Sequence, residues 1–323
     1  MKQTKNNQKI GTLVFLDKAV KIALKIVTLI CAGIIVFITI FILIKGLMPF
    51  IKKYEINGGT YTVNFFKFIV GLKWKTGVSE YGIGYIILNT FFVTILALII
   101  ATPISIFSSL FIAKIAPHWL ASILNRTIEL LSSIPSVIYG LFGVGVITSF
   151  VNNLGNLFGY QSAGGMSLLS SAIVLAMMIM PTITMISITS ISAIDEKLIN
   201  GSLALGASKT QTNFKVVLAS AKSGIFSGII LGVGRALGEA TAVSLVCGNA
   251  GSGPTFNPFD ITKTLTSAML QGINETIGLD YDIRFSVGII LIIIILLTNL
   301  LLNFIKNKIG KSYDRQYKKN KTA

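Results

Sequence analysis

Phe285-Ser-Val-Gly-Ile-Ile-Leu-Ile-Ile-Ile-Ile-Leu-Leu-Thr-Asn-Leu-Leu-Leu-Asn-Phe-Ile305 carries no charged residue. Roughly 20 apolar residues in a helix cross the hydrocarbon core of a bilayer, because each backbone N–H and C=O finds its partner inside the segment. A second run, Ile26 to Ile44, is equally uncharged and equally rich in Ile and Leu. Neither alternates polar and apolar residues over about 10 positions, as a barrel strand does. Both read as membrane helices, and the fold class that follows is an all-α polytopic membrane protein. The rest of the chain agrees: 53% of its 323 residues are hydrophobic and 12% charged. Its mean hydropathy of +0.77 exceeds what a fully water-exposed surface carries.

Extending the reading outward gives six candidate spans, at about 24–45, 83–113, 128–150, 167–191, 224–247 and 284–305. An even number returns both termini to one side. Lys18, Lys21 and Lys25 before the first span, and Lys306, Lys308, Lys311, Arg315, Lys318, Lys319 and Lys321 after the last, place both termini in the cytoplasm. Lys197, Lys209, Lys215 and Lys222 then fall inside, whereas 151–166 is uncharged and 248–283 mostly acidic, as outer loops often are. Residues 45–81 dissent, with Lys45, Lys52, Lys53, Lys67, Lys73 and Lys75 against Glu55 and Glu80. Either the other segments outvote this loop, or a cationic outer surface attracts an anion or an acidic partner. The organisation expected is a cytoplasmic tail at 1–23, one transmembrane domain at 24–305 with a cytoplasmic link at about 195–222, and a basic cytoplasmic tail at 306–323. The first apolar run is too long for a typical signal peptide and lacks a clear cleavage site, so it reads as a retained span. Pro103, Pro135 and Pro181 are expected inside spans two, three and four, where neighbouring helices can accommodate a kink.

Several functions are excluded. A net charge of +16 suggests nucleic acid, but the lysines gather at the ends and in short loops, where membrane topology accounts for most of them. Cys31 and Cys247 lie far apart in apolar surroundings, giving neither a disulfide framework nor a metal site. The single His118, between Pro117 and Trp119, suits a solvated or interfacial position, and no catalytic constellation is present. Gly201, Gly206, Lys209 and Thr210 imitate a phosphate-binding loop, but Ala207 and Ser208 separate the second glycine from the lysine and no strand precedes them. No ATP site or other cofactor site is expected in this chain.

The fifth span is the most specific membrane segment. Gly224, Gly228 and Gly232 repeat every four residues and are followed by Gly234 and Gly238, a small-residue pattern that lets helices approach closely. Arg235 and Glu239 lie within it, and at this depth a charge faces protein or a water-filled path rather than lipid. Their i, i+4 spacing predicts one helix face and a pair able to neutralise itself. The two readings are a structural ion pair and a substrate path.

The link at Asn200-Gly-Ser-Leu-Ala-Leu-Gly206-Ala-Ser208, with Val216-Val-Leu-Ala219 following, resembles the EAA loop of ABC importer permeases. Asn200 stands where that pattern has Glu, and Ala219 where it has Pro. The resemblance implies two short helices meeting at a glycine, docked in a cleft of an ATPase subunit and transmitting its closure to the membrane helices. Gly234-Arg-Ala-Leu-Gly-Glu-Ala-Thr-Ala-Val243, with Ala240 for the usual Thr, resembles PstC-type phosphate permeases, as do Ile134-Pro-Ser-Val-Ile-Tyr-Gly-Leu-Phe-Gly143 and Gly71-Leu-Lys-Trp74 leading to Tyr81-Gly-Ile83. This similarity covers about residues 70–305. It implies a type I (MetI-like) permease fold in a bacterial cell membrane. The implied partners are a PstA-type permease, two ATPase subunits holding ATP-Mg, and an extracytoplasmic phosphate-binding protein. Arg235 and Glu239 would serve the anion path. Transport of sulfate or molybdate, and a scaffold or sensor role, are the alternatives.

Overall fold

The computed structural model describes the backbone of residues 2–56, 59–76 and 80–321, and the side chains of 17, 18, 20–55, 59–76 and 80–308. Helix α1 (Lys2–Ile51) leads into the hairpin β1 (Tyr54–Ile56) and β2 (Gly59–Tyr61), then α2 (Phe65–Val70) and the short pair β3 (Trp74–Lys75) and β4 (Glu80–Tyr81). The chain continues through α3 (Gly84–Leu110), α4 (His118–Ser133), α5 (Ser136–Phe142), α6 (Thr148–Leu157) and α7 (Leu168–Ser192). The remaining helices are α8 (Glu196–Ala204), α9 (Lys209–Gln211), α10 (Leu218–Gly238), α11 (Thr241–Val246), α12 (Leu265–Leu270) and α13 (Leu279–Lys321). Single π-helical turns join α3 towards α4, α5 to α6, and α9 to α10.

Six segments among the described residues are long and apolar enough to cross a membrane: Val20–Ile51, Gly84–Ile115, Ser136–Leu157, Leu168–Ser192, Lys209–Gly238 and Leu279–Lys308. The centre of the bundle is α7, packed between α3 and α10. Ala97, Ala172, Val174, Met178, Ile179, Ile183, Ala242 and Val246 form its core. Helix α1 is peripheral, its apolar side chains from Val20 to Phe41 exposed as a lipid-facing surface requires, and it is held chiefly by α13. Asp282, 6% exposed, fixes that contact by accepting from the Tyr54 hydroxyl at 2.7 Å and from Lys45 Nζ at 3.4 Å. Burial and then the Asp282 carboxylate raise the Tyr54 pKa, keeping the phenol a donor. Lys45 therefore belongs to a helix and an ion pair, not to a loop.

Two boundaries differ from the sequence expectation. The third span was expected at 128–150, but α4 is a separate helix and the span is Ser136–Leu157. Pro135 lies outside both helices as the N-cap of α5, because a residue without an N–H fits a helix start better than its interior. Pro103 and Pro181 do lie within α3 and α7. The fifth span was expected at 224–247, yet α10 ends at Gly238 and α11 begins at Thr241. The apolar run continues through the break, so periodicity alone conceals it.

Connections divide the molecule into two ends. Residues 52–83 and 239–278 share one, here called the hairpin end, where the Trp74 N–H donates to the Gly251 C=O at 2.8 Å. Residues 116–135 and 193–208 form the opposite end.

Candidate functional site

Arg235 is placed by the packing of α10 on α7. A Cβ at Gly224 would lie 2.1 Å from Ser190 Oγ, at Gly228 3.2 Å from Ile186 Cβ, and at Gly232 2.9 Å from Ile183. These three glycines therefore set the distance between the helices. Gly234 and Gly238 do not: a Cβ at Gly234 would meet only Asn299 Oδ1 at 3.9 Å, and at Gly238 nothing within 4 Å.

One turn beyond Gly232 the Arg235 guanidinium leaves α10 on another side. Its Nη1 donates to the Thr182 hydroxyl on α7 at 2.9 Å. It lines a groove of about 680 Å³ with Thr182, Ser227, Asn299, Asn303 and Lys306. A furrow that sets these polar groups beside Ile230 and Leu231 is less costly against water or another subunit than against lipid.

The expected self-neutralising pair does not form. Glu239 follows the last residue of α10 in an extended conformation (φ −76°, ψ 117°), so the i, i+4 geometry of a continuous helix is absent. Its carboxylate instead accepts from the Ala242 N–H at 3.0 Å, one of the donors orphaned where α11 begins. Its own C=O accepts from the Thr266 hydroxyl at 2.7 Å, joining the break to α12. Lys21–Asp17 and Lys45–Asp282 form ion pairs, whereas Arg235 has no carboxylate partner among the described residues.

At the opposite end, Asp195 caps α8 by accepting from the Lys197 N–H at 2.9 Å. Gly206 then turns the chain at φ +84°, a conformation that side chains with a Cβ adopt rarely. Ser208 and Gln211 form a reciprocal cap at the start of α9. The Ser202 and Thr212 hydroxyls, 3.0 Å apart, tie α8 to the π-helical turn leading into α10. Asn200, Gly201, Leu203, Ala204, Leu205, Gly206 and Ser208 are exposed, and Ser202 and Ala207 half-buried. Leu205 is 89% exposed, and with Leu198 and Leu203 gives this elbow an apolar surface. His118 is exposed at the start of α4, Cys31 is exposed and Cys247 buried. No cluster of metal-ligating side chains occurs among the described residues.

The family model described as "Binding-protein-dependent transport system inner membrane component" matches residues 105–315. The chain belongs to this family. A probable ABC transporter permease protein, YqgH, of Bacillus subtilis is 38% identical over 80% of each chain. The phosphate transport system permease protein PstC of Pasteurella multocida is 34% identical over 71% of this chain and 75% of its own. Among solved structures, a bacterial alginate ABC transporter in complex with an alginate-bound periplasmic protein contains a chain that superposes with a TM-score of 0.62 at 16% identity, over 90% of this chain and 94% of that one. A chain of the MetNI methionine ABC transporter matches with a TM-score of 0.51 at 18% identity, over 71% and 94%. The architecture is that of a type I ABC importer permease, a multi-pass membrane subunit. Membership implies work beside an ATPase and a substrate-binding protein.

Thr182, Asn299 and Asn303 escaped the sequence reading. The two asparagines offered a signal, polar residues four apart on one face of an apolar span. Thr182 offered none, since threonine is common in membrane helices.

Proposed function

We propose that this chain is the PstC-type half of an ATP-driven phosphate importer in the bacterial cell membrane, with both termini cytoplasmic. The observation that carries the reading is the Arg235 groove, an unpaired guanidinium among amide and hydroxyl groups on a helix face. A PstA-type permease seated on α7, α10 and α13 would close this furrow into an aqueous path. The guanidinium fork matches phosphate oxygens bidentately, and Thr182 holds it in the groove. Glu239 serves the path by fixing the helix break above Arg235. The PstC relatives support phosphate over other oxyanions.

On this reading the chain hydrolyses nothing itself. Two ATPase subunits hold ATP-Mg and receive the Asn200–Ser208 elbow, with Leu205 entering their cleft. Closure of the ATPases moves the segment from Leu203 to Phe214, which continues without interruption into α10 and Arg235. An extracytoplasmic phosphate-binding protein docks on the hairpin end.

The test is uptake into liposomes containing this chain with its partner permease, ATPase and binding protein, challenged with excess sulfate and molybdate. Phosphate uptake that needs ATP and ignores the competitors is expected. ATP-dependent uptake of another anion would replace the substrate, and ATP hydrolysis without transport would favour a scaffold or sensor.

A further inference from the structure

A second cavity, of about 630 Å³, lies at the hairpin end, away from the Arg235 groove. Trp74, Lys75, Asn249, Lys263, Glu275 and Arg284 line it. Two of its cations are buried, Lys263 at 5% exposure and Arg284 at 4%. The backbone fixes Lys263 in place. The Thr262 N–H donates to the Cys247 C=O at 2.7 Å, the Ala250 N–H donates to the Thr262 C=O at 3.1 Å, and Thr264 caps α12. The Lys263 ammonium stands 5.8 Å from the centroid of the Trp74 ring. Among the described residues it makes no hydrogen bond and no ion pair.

Arg284 is accounted for in part. Its Nη1 donates to the Ala268 C=O at 2.9 Å and its Nε to the Asp280 C=O at 3.2 Å, tying α12 to α13 through uncharged acceptors. Its Nη2 remains on the cavity side: a Cβ at Gly272 would lie 3.5 Å from Nη2 and 3.9 Å from Glu275 Oε2. Asp280 and Glu275 act on Arg284 as counter-charges, whereas Lys263 has no carboxylate partner and the face of Trp74 offsets only part of the cost of burying it. The three N–H donors of Lys263 are left unused by the fold.

We propose that this cavity binds a protonated tetrahedral oxyanion, inorganic phosphate first, ahead of the Arg235 groove. The inference rests on the reading of the chain as an oxyanion permease. Lys263 and Arg284 donate to the anion's oxygens. Glu275, which only accepts when ionised, takes the O–H that hydrogen phosphate carries and sulfate lacks. Burial brings the Lys263 pKa down from 10.5 to about 8, so the ammonium still exists at neutral pH and is stabilised by an arriving anion. The Thr266 hydroxyl, three residues beyond Lys263, bonds the Glu239 C=O, which links the cavity wall to the helix break beside Arg235.

Trp74 supplies the readout, since Trp119 is the chain's other tryptophan and lies exposed on α4. The full-length Trp119→Phe chain in lipid nanodiscs is titrated with potassium phosphate, sulfate and acetate at constant ionic strength while tryptophan emission is followed. Expected is a saturable change with phosphate, one at least about tenfold weaker with sulfate, and none with acetate. Lys263→Gln abolishes the response and Lys263→Arg retains it with a shifted midpoint. Glu275→Gln narrows the gap between phosphate and sulfate, and this variant keeps the test open if Lys263→Gln does not fold. No saturable phosphate response, one unchanged by Lys263→Gln, or one matched by acetate would overturn the proposal. Phosphate uptake by the assembled transporter without any Trp74 response removes the cavity and keeps the importer. A Lys263-dependent phosphate response in a transporter that moves no phosphate keeps the cavity and removes the importer assignment.

Discussion

Arg235 reaches across the α7–α10 interface to donate to the Thr182 hydroxyl at 2.9 Å. That bond uses one of five guanidinium N–H donors and leaves the others in the groove. Arg235→Lys preserves the charge but loses the fork, so phosphate uptake is expected to fall at least about tenfold while ATPase copurification is unchanged. Thr182→Val leaves the guanidinium intact but unanchored, and a smaller loss of about threefold is expected. Normal uptake by Arg235→Lys in an intact complex would falsify direct contact with substrate.

Glu239 invites a paired substitution because its carboxylate caps α11. Glu239→Gln retains an acceptor for the Ala242 N–H, whereas Glu239→Ala orphans it. Thermal unfolding in detergent is expected to show a loss of about 1 kcal/mol for the alanine variant and little for the glutamine one. If Glu239→Gln also transports normally, the residue acts as a cap and its charge has no part in the path.

Gly224 has the tightest approach on the α10 stripe. Gly224→Ala places its methyl against the Ser190 side chain, and strain of about 1–3 kcal/mol is expected, read as reduced yield and a lower unfolding temperature. Ser190→Gly removes the opposing atoms and is expected to restore part of the loss in the double variant. Equal and additive losses would show that the two positions do not meet.

The bundle was legible because lipid demands long uncharged helices, and their lengths survive translation into sequence. The break at Glu239 was not, since Ala240 to Cys247 continues the apolar run of α10 and no Pro marks the change. Arg235 stood out as a charge in an apolar span, but its partner was assigned by helical spacing that the break removes. Lys263 was hidden for another reason. A single lysine in an otherwise acidic outer segment looks solvated, and only the meeting of Trp74, α12 and α13 buries it.

Leu205 tests the elbow. At 89% exposure it contributes almost nothing to the fold, so Leu205→Asp is expected to leave the unfolding temperature within experimental scatter. Docked in an apolar cleft, the same change buries an unpaired carboxylate, and copurification of the ATPase is expected to be lost. Retention of a fully coupled ATPase by Leu205→Asp would move the contact to the Leu198 side of α8.

The depressed Lys263 pKa makes a prediction about stability that needs no transport. Its folded value, about 8, lies below the ordinary 10.5, so between these the unfolded chain holds more protons and stability rises with pH. The displacement corresponds to roughly 3 kcal/mol at most, approached only towards the upper value. Cys247 and Tyr54, whose pKa values burial raises, act in the opposite sense at alkaline pH. The difference between wild type and Lys263→Met cancels Tyr54 and reports the lysine together with the Cys247 thiol to which it is coupled. Arg284, Lys75 and Glu275 share its cavity and remain in both proteins. Wild type is expected to gain on the variant between about pH 8 and 9.5 in thermal unfolding. Saturating phosphate is expected to delay that gain to higher pH, because a bound anion holds the proton on Lys263. A wild-type curve parallel to that of Lys263→Met, with and without phosphate, would mean that the ammonium is neither desolvated nor in contact with the anion.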